Sequence, residues 1–152
     1  MAMIKTNWKK ANEDEKKDDY SAIVPSGFKQ KKYDTKIVSG GYLYHRCHII
    51  AWKLGGIDVD ERNLIAGTQS FNVKGMKQFE DKVYDYIKGN QKNNVLYRVS
   101  PDFKGENQLA SGVKIEAYSI EDNGKLQFNV YIYNTQDKIS INYETGDSKL
   151  EE

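Results

Sequence analysis

The residue types best suited to catalysis in this 152-residue chain lie between positions 45 and 80. Arg46 and His48 are two residues apart in the run YHRCH, and alternate residues of a β-strand share one face. An imidazole that accepts a proton, beside a guanidinium that binds phosphate, is a pairing that suits hydrolysis of a phosphodiester. An unperturbed imidazole has a pKa of about 6.5 and is mostly neutral near pH 7, so His48 is our candidate general base.

The histidines of this run have other interpretations. His48 alone could be a strand histidine satisfied by a backbone hydrogen bond. The spacing His45-x-x-His48 suggests zinc, but a strand splays the two rings apart, and no cysteine pair or further histidine completes a tetrahedral site. His45 falls on the opposite face of the strand, so we expect it to face the core. Tyr44 is predicted to share the polar face with Arg46 and His48.

Two downstream side chains carry the oxygen atoms that a hard divalent cation prefers. Asn72 and Glu80 are expected at the start and in the second turn of a helix. In an ideal α-helix they differ by about 80° in azimuth and roughly 12 Å in rise. One ion cannot contact both directly, so we expect one direct ligand and one partner that acts through water. An amide oxygen and waters suit Mg²⁺, with Mn²⁺ as a substitute. The alternatives are a helix N-cap for Asn72 and a solvated surface position for Glu80.

The surrounding pattern predicts the elements that must position these residues. A strand is expected over 41–50, and a short apolar strand or loop over 62–66. A helix over 72–88 follows from apolar residues at helical spacing: Met76, Phe79, Val83 and Ile87. Alternating strands are expected over 95–99, 112–120 and 126–133, the last two joined by a turn at Asp122-Asn123-Gly124. We therefore predict an α+β fold, with a helix packed on an antiparallel β-sheet.

Composition limits the class of protein. With 38% hydrophobic and 30% charged residues, the chain is expected to be one soluble domain without a membrane span. We assign a charged leader to 1–24, the main domain to 25–148, and a charged tail to 149–152 that frays from Ser148. The single cysteine, Cys47, excludes an internal disulfide. Residues 1–17 contain no apolar signal sequence, so a leader or upstream region is expected to precede this chain.

Basic residues are concentrated in the first third of the chain. Residues 1–54 contain eleven Lys or Arg and six Asp or Glu, a net charge of +5. Lys29, Lys31 and Lys32 could therefore contact phosphates. The alternative is a solvated surface without a partner.

Several segments resemble the DNA/RNA non-specific endonucleases of the ββα-metal superfamily, and within it the streptococcal secreted and prophage DNases and competence nucleases. His45-Arg46-Cys47-His48 stands where that family carries Asp-Arg-Gly-His. Asn63, the Phe71-Asn72 pair and the segment around Glu80 resemble its connection into the metal-binding helix. The likeness covers about residues 25–148.

The resemblance implies a ββα-metal finger packed on an antiparallel sheet, and a role for each site residue. His48 would be the general base, Asn72 the Mg²⁺ ligand and Glu80 its water-mediated partner. Arg46 would contact phosphate or support the structure, and Asn63 would position the His48 loop or the phosphate. The family often has arginine one turn beyond the glutamate, where this chain has Tyr84. We expect another cation to replace it; the substrate-contacting candidates are Arg46, Lys82, Arg98, Lys31 and Lys32.

Three classes of function follow. The first is a Mg²⁺-dependent endonuclease that cleaves DNA, or also RNA, without sequence preference, leaving 5′-phosphate and 3′-hydroxyl ends. The second is a nuclease toxin module of a larger exported protein, neutralised by an immunity protein. The third is a nucleic-acid-binding domain with a degenerate site. Either form of nuclease is expected to be secreted or exported.

Overall fold

The computed structural model describes residues 2–4, 21–56 and 60–152. Eight strands and one α-helix succeed one another along these residues, in the order β1 Ala2–Ile4, β2 Tyr44–His48, β3 Leu64–Thr68, α1 Lys77–Gly89, β4 Val95–Asp102, β5 Gly112–Ser119, β6 Gln127–Tyr133, β7 Ile139–Ile141 and β8 Ser148–Leu150. Two short 3₁₀ turns, Trp52–Leu54 and Glu61–Asn63, lie between β2 and β3, and a π-helical segment, Phe71–Met76, runs directly into α1.

The main sheet is antiparallel, with strand order β1-β4-β5-β6. The predicted turn between β5 and β6 is confirmed. Asn123 and Gly124 have φ values of 55° and 83°, the left-handed pair that matches the twist of a tight hairpin. Together with the helix, this sheet confirms the predicted α+β class.

Helix α1 packs on one face of the main sheet. Three of the four apolar residues used to predict the helix, Met76, Val83 and Ile87, are buried against strand residues such as Tyr97 and Ile115. The fourth, Phe79, packs against Phe128 with ring centroids 5.2 Å apart. The helical period thus identified the buried face correctly.

Strands β2 and β3 form a separate antiparallel pair, with Arg46 opposite Ala66 and His48 opposite Leu64. The predicted strand over 41–50 is therefore shorter, Tyr44–His48. The placement of Tyr44 on a polar face is wrong. Tyr44 is buried in a second core with Leu43 and Val38, and its hydroxyl donates a hydrogen bond to the Gly146 carbonyl at 2.8 Å.

A buried amide joins this strand pair to the main sheet. The side chain of Asn134 accepts a hydrogen bond from the Thr68 N–H at 2.9 Å and donates to the Ala66 and Ala110 carbonyls at 3.2 and 3.0 Å. The Thr68 hydroxyl donates to the Thr135 carbonyl at 2.6 Å and accepts from the Phe71 N–H at 3.0 Å. Because Thr68 ends β3 and Phe71 begins the π-helical segment, these bonds fix where the helix starts.

In the residues that the structure describes, both ends of the chain differ from the predicted leader and frayed tail. Ala2–Ile4 pairs with β4, while residues 5–20 of the predicted leader lie outside the described residues. The expected fraying from Ser148 is wrong, because β8 pairs with β7, Ile141 opposite Ser148. Among the described residues, no helix is long and apolar enough to cross a membrane.

Replacing Asn134 with alanine is expected to destabilise the fold by about 3 kcal/mol. The change leaves a buried N–H and two buried carbonyls without their partner, and each such group costs about 1–3 kcal/mol before relaxation. Asn129→Ala, at an exposed position of β6, is the matched control and should shift stability by about 0.5 kcal/mol or less. Urea unfolding measures both; equal midpoints for the two variants would contradict the role given to Asn134.

Candidate active site

Asn72 lies in the π-helical segment rather than in regular α-helix. A π-helix bonds residue i to i+5, so each residue rotates the chain by less than in an α-helix. The angle around the helix axis between Asn72 and Glu80 is therefore smaller than the value of about 80° expected for an ideal α-helix. Close packing accompanies the segment: a Cβ at Gly75 would lie 2.4 Å from Cγ2 of Ile132 on β6.

A cleft of ≈ 330 Å³ lies where the strand pair meets the helix. Its principal polar and aromatic lining residues come from β2, the first 3₁₀ turn, the π-helical segment and α1: Arg46, His48, Trp52, Lys53, Asn72 and Glu80. The sequence proposed four of these six as site residues. The fold therefore brings together the candidate base, one candidate phosphate-binding cation and both candidate metal-binding side chains.

The loop that follows His48 is held by Asn63. The Asn63 side chain accepts a hydrogen bond from the Ile50 N–H at 2.8 Å and donates to the Ile50 carbonyl at 3.0 Å. Its backbone carbonyl accepts from the Ile49 N–H at 2.9 Å. Asn63 does not line the cleft. Of its two predicted roles, the geometry favours positioning of the His48 loop over contact with the phosphate.

His45 does not simply face the core, as expected from strand alternation. It is half-buried, and its Nδ1 lies 3.2 Å from Nδ2 of Asn72. With this amide orientation the Asn72 nitrogen donates to Nδ1 when the ring is neutral and carries its proton on Nε2. Burial lowers the pKa of His45, which favours that form. The contact engages the amide nitrogen of Asn72 with His45 and leaves its side-chain oxygen available to a cation.

Arg46 is oriented by two contacts outside the cleft. Its Nε donates a hydrogen bond to the Ile23 carbonyl at 2.6 Å, and its guanidinium carbon lies 4.6 Å from the centre of the Phe28 ring. These contacts hold the side chain while its terminal N–H groups remain as donors. Of the two roles that the sequence left open for Arg46, these contacts support the structural one, and its terminal N–H groups are available for the other.

Glu80 is buried, so its interpretation as a solvated surface residue is wrong. Only 9% of the residue is exposed. Burial raises the pKa of Glu80 to about 7, opposed in part by the nearby charge of Lys53. A carboxylate kept from water in this way is stabilised by a cation at its side.

The donors present fit a hard divalent cation. An amide oxygen on Asn72 and a buried carboxylate on Glu80 suit Mg²⁺, which keeps several waters and needs few protein ligands. Within the described parts of the chain, no cluster of three or more His, Cys, Asp or Glu side chains could hold a metal, so nothing there builds a zinc site of the structural type.

Four of the predicted substrate-contacting cations lie elsewhere. Lys82 is exposed, with its ammonium 5.0 Å from the centre of the Phe79 ring. Arg98 is exposed on the face of the main sheet away from the helix and pairs with Glu116 at 3.8 Å. Neither lines the cleft, and the same holds for Lys31 and Lys32. These two lysines lie over tyrosine rings beside the start of β2.

The sequence analysis missed two residues of the cleft, Trp52 and Lys53. Both lie in the 3₁₀ turn that follows β2. A turn of three residues is too short to show a spacing of apolar residues that would distinguish it from a loop. Two features of the sequence could have identified this turn. Trp52 and Lys53 lie close to His48 in the chain, and the Gly55-Gly56 pair follows them. Gly55 has φ of 93°, and a Cβ at Gly56 would lie 1.9 Å from the Ile50 carbonyl oxygen.

Comparison with known proteins gives a consistent result. A deoxyribonuclease of Streptococcus dysgalactiae subsp. equisimilis is 34% identical over 128 residues, which is 82% of this chain but only 36% of that longer protein. The Sda1 nuclease, solved with bound zinc, superposes with a TM-score of 0.82 at 27% identity, covering 95% of this chain and 73% of its own.

The fold of NucA from Streptococcus agalactiae, solved with bound magnesium, is also similar. The TM-score is 0.83 at 24% identity, covering 99% of this chain and 70% of that one. The family model described as DNA/RNA non-specific endonuclease matches residues 3–121. The chain belongs to the DNA/RNA non-specific endonuclease family.

Proposed function

We propose that this protein is a divalent-metal-dependent endonuclease that hydrolyses the phosphodiester bonds of DNA, and also of RNA, without sequence preference. The observation that carries the proposal is the single cleft lined by His48, Asn72 and Glu80. In this cleft an imidazole, which can act as a base, lies with oxygen donors of the kind that suit Mg²⁺ or Mn²⁺. The bound zinc and magnesium of the Sda1 and NucA structures support a metal at this kind of site.

His48 would take a proton from a water molecule in line with the scissile phosphorus and opposite the departing 3′ oxygen. Arg46, already fixed by the Ile23 carbonyl and the Phe28 ring, would bind a non-bridging phosphate oxygen. Asn63 would hold the backbone after His48, so that the imidazole keeps its orientation as the proton moves. The products would carry 5′-phosphate and 3′-hydroxyl ends.

Asn72 would bind the divalent ion directly, and Glu80 would act through water. A bound ion supplies positive charge to the phosphate oxygens and to the leaving group. His45 would keep the Asn72 oxygen available by accepting a hydrogen bond from its amide nitrogen. These groups act on phosphate and water and read neither base nor sugar, which is why both nucleic acids are proposed as substrates.

Secretion or export, and neutralisation by an immunity protein, stay predictions. Family members that act outside the cell motivate the first, and the chain spans only about a third of the curated relative it matches. The toxin module and the secreted nuclease share the same chemistry, so the tests below apply to both.

Plasmid DNA and a matched structured RNA provide the direct test of the activity. With Mg²⁺ we expect nicking of supercoiled plasmid followed by fragments of all sizes, complete arrest by EDTA, and recovery on adding excess Mg²⁺. Undiminished cleavage after exhaustive chelation would exclude a metal-dependent mechanism. Retention of DNA on a gel without any cleavage would instead favour the degenerate binding domain.

His48→Ala and His45→Ala should fail in different ways. We expect His48→Ala to lose roughly 10²–10⁴-fold in kcat at every Mg²⁺ concentration, the usual contribution of a general base. His45→Ala should raise the half-saturating Mg²⁺ concentration roughly tenfold, as expected for a residue that orients a metal ligand, and recover most activity at saturation. Rate measurements over a Mg²⁺ titration, with thermal melts of both variants, separate the two. An inactive His45→Ala beside a near-native His48→Ala would overturn these roles.

A further inference from the structure

We propose that Lys53 is a second cation of the cleft, beside Arg46, and that it binds the scissile phosphate and stabilises the charge that develops on it during hydrolysis. This inference rests on the nuclease function proposed above and adds a residue to it. Lys53 lines the same cleft as His48, Asn72 and Glu80. No other lysine lines that cleft among the described residues.

The backbone around Lys53 is fixed by local hydrogen bonds. The Leu54 N–H donates to the Ala51 carbonyl at 2.9 Å, and the Gly55 N–H donates to the Trp52 carbonyl at 3.0 Å. Leu54 is buried in the main core, with 1% of its surface exposed. A turn anchored in this way holds the Lys53 side chain at the cleft wall.

The ammonium group lies against α1 through two contacts. It forms an ion pair with Asp81, and it lies 5.1 Å from the centre of the Tyr84 ring. The Lys53 side chain stays about 33% exposed, so solvent and substrate can reach it. Lys53 is also close enough to Glu80 for its charge to act on that carboxylate.

Asp81 does not neutralise Lys53 fully, because it has a second basic partner. Lys77 pairs with the other carboxylate oxygen of Asp81 at 2.7 Å. Two ammonium groups sharing one carboxylate leave a net charge of +1. When phosphate enters, Lys53 can exchange Asp81 for a phosphate oxygen while Asp81 keeps Lys77. Partly exposed ion pairs are worth about 1 kcal/mol or less, so this exchange costs little.

The positions of the other basic side chains favour Lys53 as a phosphate-binding residue. Arg46 uses its Nε on the Ile23 carbonyl and offers only its terminal N–H groups to the phosphate, and Lys82 and Arg98 lie outside the cleft. Tyr84 occupies the position where the resemblance predicts arginine, and its ring lies beneath the Lys53 ammonium. Lys53, in the turn after β2, thus provides a positive charge beside Tyr84, a helix residue that has none.

Lys53→Met tests the proposal, with Lys77→Met as matched control. Both variants remove an ion pair with Asp81, but only Lys53 lines the cleft. Substrates are plasmid DNA and bis(p-nitrophenyl) phosphate, a diester with one phosphate and no base or sugar. We expect Lys53→Met to lose roughly 10²-fold in kcat on both, comparable to removing one preorganised donor. Lys53→Arg should keep at least a tenth of the rate, and Lys77→Met should stay within threefold of wild type.

The outcomes separate this inference from the proposed function. Equal rates for Lys53→Met and Lys77→Met, beside an active wild type and an inactive His48→Ala, would overturn the role of Lys53 alone. A wild-type protein that cleaves neither substrate would overturn the proposed function and this inference with it. Matching thermal melts of the two lysine variants show that a difference in rate is not one of folding. Should Lys53→Met melt early, Lys53→Gln replaces it in the same comparison.

Discussion

The position of the cleft depends on the hydrogen bonds between Thr68 and Asn134. Thr68 is the last residue of β3, and its N–H and hydroxyl are bound by groups that follow β6. The same hydroxyl accepts the Phe71 N–H, so the π-helical segment starts at a point set by the main sheet. Gln136 adds a bond of 2.9 Å from the Ser70 N–H to its side-chain oxygen. These hydrogen bonds join the β2-β3 pair to the main sheet through buried polar groups, where a group left without its partner is costly.

The π-helical segment and the burial of Glu80 have a common consequence. Wider turns at the start of the helix bring Asn72 and Glu80 toward one face, and the sheet behind the helix excludes water from the carboxylate. A buried carboxylate opposes folding unless a cation accompanies it. In the chain itself the nearby charges of Lys53 and, to a smaller extent, Lys77 favour the ionised form of Glu80. A buried carboxylate beside a lysine is costly for stability, and under the proposed function the same groups would bind the metal and the phosphate.

The sequence predicted what depends on local pattern. The helical period identified Met76, Val83 and Ile87 as the buried face, and the Asn123-Gly124 turn identified the last hairpin. It also selected His48, Asn72 and Glu80, which the fold brings to one cleft.

Where prediction failed, the cause was contact between distant segments. Strand alternation placed Tyr44 on a polar face, but residues around Gly146 cover it and accept its hydroxyl hydrogen bond. An ideal α-helix would set Asn72 and Glu80 at different angles around its axis. The chain instead forms a π-helical segment there, which no sequence rule indicated. No local pattern marks the roles of Asn134 and Lys53, because their partners are distant in the chain. Asn134 bonds Thr68, 66 positions away, and Lys53 pairs with Asp81 of α1, 28 positions away.

The central claim is that this cleft holds one divalent ion on Asn72 beside His48. Anomalous diffraction from crystals soaked in Mn²⁺ measures it most directly, because it locates the ion without relying on activity. The account predicts a single strong peak in the cleft, about 2.1 Å from the Asn72 side-chain oxygen, with Glu80 reached through an ordered water. A Mn²⁺ peak bound to the imidazoles of His45 or His48, or an ordered ion only outside the cleft, would contradict it.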